Sequence, residues 1–188
     1  ASTIVPGGPR QAITPLALGD VASLRQYHSR WKPFLEEVHA LDIRVQATFS
    51  LVNLWGDHEQ NTGFFHYYSD QWEEDFLGPR HIVDPRELLE RDRAGNFIRD
   101  GQAGWYRYGG CVNNPHWRTL LKAMVQEGVN AGFDGFMVQF PHARSPCACL
   151  HCQQRFRAFL QSRYSAEVLS QRFGIDEVES HFFAATGP

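Results

Sequence analysis

The chain has 188 residues, 43% hydrophobic and 21% charged, with 18 Lys and Arg against 21 Asp and Glu. That is the composition of one globular domain able to bury a core, not of a disordered segment. The net charge of −3 argues against a general nucleic-acid binder. No apolar run of the roughly 18 residues needed for a membrane-spanning helix is present, and no secretory leader is visible at the start.

Residues 1–19 read as an irregular lead-in, broken by Pro6, Gly7, Gly8, Pro9 and Pro15. Asp20 suits an N-cap, where its carboxylate accepts from free N–H groups of the first turn. Leu24, Trp31, Phe34, Leu35, Val38 and Leu41 then recur at helical spacing and predict a helix over 21–40. Ile43, Val45, Ala47, Phe49 and Leu51 alternate with Arg44, Gln46, Thr48 and Ser50, the period of a strand with two distinct faces.

Residues 52–110 read as a long loop region with short elements. Aromatics concentrate there: Trp55, Phe64, Phe65, Tyr67, Tyr68, Trp72 and Phe76. They serve either as packing or a subunit contact, or as platforms with an apolar ring face and a wet tip. A short helix is expected over 86–93, and Gly95-Asn96 and Asp100-Gly101 carry turn signals.

Order returns at Asn114, an N-cap type, and Pro115, which fits the first helical position because its missing N–H costs nothing there. Trp117, Leu120, Leu121, Met124, Val125 and Val129 define one face of a helix over 115–131, and Gly132 fits the C′ position. Residues 135–140 read as a buried strand. Phe156, Phe159 and Leu160 mark another helix, to about Tyr164. Ser165 caps a last one, with Val168, Leu169 and Phe173 inward and its end near Gly174. Strands separated by helices favour a parallel sheet, whose ligands gather at the C-terminal strand ends. That puts Leu51–Glu59 and Gln139–Arg144 on one edge, with Asp134 a turn residue at the opposite one.

The four cysteines fall as Cys111-x₃₅-Cys147-x-Cys149-x₂-Cys152. Four thiolates satisfy tetrahedral Zn²⁺ with no open position, which makes the expected role structural. The competing arrangements are two disulfides or free buried thiols, although a CxCxxC cluster is awkward for local pairing. Asn113 and His116 flank the helix start as capping or supporting groups. Arg155, Arg157 and Arg163 read as a solvated helix face.

From Trp105 to Ile175 the chain resembles the family 42 glycoside hydrolases, β-galactosidases with a (β/α)₈ barrel, and uncharacterised bacterial relatives of them. The resemblance rests on WYRYGGCVNNPHWR, GFDGFMVQF and CACLHCQQRFRAFLQSRY. It implies that Cys111, Cys147, Cys149 and Cys152 hold zinc and that Arg107 contacts substrate. It implies a single domain forming the N-terminal part of a (β/α)₈ TIM barrel, about four βα units with a zinc clip. The expected function is a glycoside hydrolase-like protein that acts on or binds carbohydrate. The family's acid/base position falls at Phe140 and Pro141, and Gln139 cannot exchange a proton near neutral pH. The alternative is therefore a non-catalytic, zinc-stapled carbohydrate-binding or scaffold protein.

Asp57, Glu59 and His142 are the catalytic candidates at the expected edge, with Trp55, His58, Gln139 and Arg107 for substrate. The expected partners are carbohydrate and a second copy of the chain, without nucleic acid or membrane. Zinc-bound cysteines favour a cytoplasmic location over an exported one.

Overall fold

The computed structural model describes residues 2–4, 21–74, 78–80, 82–139 and 146–183. Asp20, Phe76, Phe140, Pro141 and His142 lie outside this set, so the roles expected of them do too.

Strand β1 (Ser2–Ile4), helix α1 (Val21–Ala40) and strand β2 (Ile43–Ser50) come first. A short segment of small strands follows: β3 (Asn53–Asp57) and β4 (Thr62–Gly63), then helix α2 (Phe64–Asp70). A 3₁₀ turn (Pro85–Leu88) leads to β5 (Arg99–Gln102) and β6 (Trp105–Gly109). Helix α3 (Pro115–Asn130), strand β7 (Gly135–Gln139), α4 (Leu150–Arg163) and α5 (Ala166–Phe173) complete the chain.

Two open sheets result. One is three-stranded, in the order β1-β2-β7; the other is four-stranded, in the order β4-β3-β6-β5. The first is parallel, with Ser2 opposite Ile43 and Ser50 opposite Gln139, as helices between strands require. The second is antiparallel, with Trp55 opposite Arg107 and Asp100 opposite Arg107. This corrects the expected barrel. Neither sheet closes on itself among the described residues, and the stretch read as a loop over 52–110 supplies a second sheet instead of crossover units.

The core divides along the same line. Leu35 and Val38 of α1 pack on Val45 and Ala47 of β2 and on Phe133. Leu54, Phe64, Phe65, Tyr67, Tyr68 and Tyr108 meet Trp117, Leu120 and Met124 of α3 in the larger cluster. The aromatic run therefore serves mainly as packing: Phe64 and Tyr67 are fully buried, and the Tyr68 hydroxyl donates to the Ile82 carbonyl at 2.8 Å.

Caps form where the sequence places them. Asn114 accepts from the His116 N–H at 2.9 Å, and Ser165 from the Val168 N–H at 3.3 Å. Gly174 sits at φ 65 after α5, a left-handed conformation that suits glycine at a helix end. The expected short helix over 86–93 shrinks to the 3₁₀ turn, because Leu89 and Arg91 leave it to bridge Gly110 and Phe97. Strand β7 is not fully buried: Met137 is 37% exposed and Val138 is 44% exposed. Phe156, Phe159 and Phe173 likewise face outward rather than into a core.

Candidate metal centre

The turn after β6 sets the first ligand. The Gly110 N–H donates to the Val52 carbonyl at 2.7 Å, and the Cys111 N–H to the Leu88 carbonyl at 2.8 Å. Gly110 lies against the Trp117 ring so closely that a Cβ there would come within 2.3 Å of it. Trp117 is itself fixed by a 2.8 Å bond from its indole N–H to the Leu51 carbonyl. Cys111 is thus held at the junction of β6, α3 and the end of β2.

The other three ligands approach on α4 and the loop that leads into it. The Ala148 N–H donates to the Arg91 carbonyl at 2.7 Å and holds the 147–149 loop on the 3₁₀ side of the body. Cys149 is the N-cap of α4, and Cys152 lies in its first turn. The four Sγ atoms all lie within 4.8 Å of one another. Cys111 Sγ is 3.5 Å from that of Cys152 and 3.4 Å from that of Cys149.

These distances discriminate between the readings of the quartet. A disulfide needs about 2.05 Å between sulfurs, and all four cysteines are free. Thiolates bound at about 2.3 Å to one tetrahedral ion sit roughly 3.8 Å apart, close to the separations found. Two further donors support anionic sulfur: the Arg91 N–H on Cys147 Sγ at 3.4 Å and the Asn113 amide on Cys152 Sγ at 3.3 Å. Asn113 is therefore a supporting group, as its position beside the helix start suggested. Four thiols this close cannot all ionise unless a cation joins them. The Cys111 thiol is pushed far up, first by its contact with Cys147. Cys149 and Cys152 are held down, first by their contacts with Cys111. The donor set fits a soft cation in a closed site.

Among the described residues, the remaining candidates are held as follows. Asp57 is 1% exposed, but its carboxylate folds back on its own loop. It accepts from the N–H groups of Gly104 (2.7 Å), Glu59 (2.9 Å) and Gln60 (3.4 Å). Burial alone would raise its pKa; the three N–H groups outweigh burial and keep the carboxyl below the usual range. Glu59 is exposed in that turn. His58 lies among Phe65, Phe97 and Tyr108, with the Phe97 ring 4.9 Å away edge-on. Burial there depresses its pKa.

Arg107 pairs with Asp100, its Nε 3.0 Å from Oδ1, and its guanidinium lies over the Trp55 ring at 5.5 Å. Gln139 ends β7 opposite Ser50. Asp134 sits before β7, as expected. Beyond forming a turn, it accepts from the Val45 N–H and His39, both at 2.8 Å, and from Arg44 at 3.0 Å. A cleft between Tyr68, Trp72, His116 and Leu120 holds a cavity of about 20 Å³, room enough for water.

No family model matches this chain. No curated protein and no solved structure matches it either. Together with the two open sheets, this overturns the resemblance to family 42 glycoside hydrolases and the hydrolase function drawn from it. The reading that survives is a metal site built from Cys111, Cys147, Cys149 and Cys152. Among the described residues, no helix is long and apolar enough to cross a membrane.

Proposed function

We propose that the chain is a non-catalytic scaffold protein stapled by one structural Zn²⁺ on Cys111, Cys147, Cys149 and Cys152. The convergence of the four sulfurs within 4.8 Å carries this reading. All-thiolate sets select zinc, copper(I) or iron–sulfur chemistry. Four protein ligands on one tetrahedral ion leave no position for water or substrate, so the ion supplies folding energy and not catalysis. The polar groups nearest an expected active edge support the same conclusion. Asp57 is committed to backbone N–H groups, and Arg107 to Asp100.

Metal analysis of protein purified without added metal tests the proposal, with thiol titration before and after chelation. One zinc per chain and four thiols released by the chelator are expected. Reduced protein that carries no metal as purified and takes up none when zinc is offered would refute the site, and a visible iron–thiolate absorption would refute the choice of zinc.

A further inference from the structure

Leu160, Leu169 and Ile175, with Val178 and Phe183 against them, form a small core separate from the two that organise the sheets. Gln153 closes it. Its amide donates to the Phe183 carbonyl and accepts from the Phe183 N–H, both at 2.9 Å. Arg157 adds a bond to the His181 carbonyl at 3.0 Å, so α4, α5 and the segment to Phe183 fasten onto one another.

The hydrogen bonds described between this unit and the rest of the protein converge on the cysteine loop. Besides the sulfur contacts of Cys111 with Cys149 and Cys152, they are Ala148 N–H to the Arg91 carbonyl, Arg91 N–H to Cys147 Sγ, and the Asn113 amide to Cys152 Sγ. Three of the four ligands travel with α4 or its leading loop, while Cys111 stays with the body.

We infer that the metal centre is a clasp whose loading decides whether the α4–α5 unit is locked to the α/β body or moves as a separately folded piece. The inference rests on the metal-site reading above and adds what the site controls. Metal–thiolate bonding is gained only when Cys111 and the 147–152 ligands meet, so that free energy belongs to the joint. Without the ion, the joint keeps only a few hydrogen bonds, each a modest contribution in water. Each side of it keeps its own apolar core, and sub-global opening is expected where such contacts are sparse.

Hydrogen–deuterium exchange tests this on the full chain, zinc-loaded and then chelator-stripped, with both samples kept reduced. On stripping, the amides of Arg91 and Ala148 should exchange at least about tenfold faster, while those of Leu169, Ile175 and Met124 stay protected. Cys111→Ser should give the same pattern without a chelator. Uniform loss of protection through α3 and α5 would overturn the inference, because the ion would then hold the whole fold. Unchanged exchange at Ala148 would overturn it too. Metal content measured on the same samples separates these results from failure of the site itself, which would show as no zinc bound to the untreated protein.

Discussion

Replacing Asp57 by alanine tests whether the best-placed carboxylate is structural. The side chain is 1% exposed and takes N–H groups from Gly104 at 2.7 Å and Glu59 at 2.9 Å, with a longer bond from Gln60. A hydrogen bond to a charged group contributes about 1.5–3 kcal/mol. Glu59 and Gln60 lie in an exposed turn whose N–H groups can turn to water, whereas Gly104 is half-buried. A net loss of about 2–4 kcal/mol follows for Asp57→Ala.

The pH dependence has a definite sign. The folded pKa lies below the ordinary carboxylate value, so the stabilisation is fully present above the unfolded pKa, about 4. It is lost as pH falls through the folded value, and the gap between wild type and variant should narrow in acid. Urea unfolding followed by tryptophan fluorescence measures both effects. A loss under about 0.5 kcal/mol near neutral pH, or a gap that widens on acidification, would refute the assignment.

Other substitutions probe the frame around the metal. Gly110→Ala would put a Cβ 2.3 Å from the Trp117 ring. It should cost about 1–3 kcal/mol in denaturant melts and lower zinc occupancy by displacing Cys111. Trp117→Phe removes the donor to the Leu51 carbonyl in a fully buried position; a loss of about 1–3 kcal/mol is expected by the same measurement. Asp134→Ala removes an acceptor for the Val45 N–H whose carboxyl is held at about 2, chiefly by that bond. After allowance for solvent screening, the loss should be about 1 kcal/mol near neutral pH. It should vanish as pH falls from about 4 toward 2, read from thermal melts across that range.

Helices α1 and α3, strand β2 and the metal ligands were legible because each rests on a local rule. Asn114-Pro115 starts α3, Ser165 caps α5, and the Ile43–Ser50 alternation defines β2. The antiparallel sheet was not legible. Its strands are short and rich in glycine, and Gly56, Gly101 and Gly109 break the alternation that would reveal them. The Asp100-Gly101 turn signal falls inside β5, while the chain reverses at Ala103-Gly104, with Gly104 at φ 86. Burial of Phe64, Phe65, Tyr67 and Tyr68 follows from α2 and α3 meeting, which no local pattern records. The barrel expectation failed at that level: helix–strand order fixes parallel pairing but not how many strands join, nor whether an intervening segment builds a sheet of its own.

The parallel pairing of β2 with β7 bears on how the protein folds. Val45 and Asp134, joined by a 2.8 Å bond, are 89 residues apart in the chain. The antiparallel sheet and α3 lie wholly within that interval, where β3 pairs with β4 and β5 with β6 across short hairpins. Closing the long loop carries an entropy cost that near-neighbour contacts avoid. The inserted segment should therefore form early in refolding and carry the two parallel strands toward each other, so that the last cooperative step is their registry.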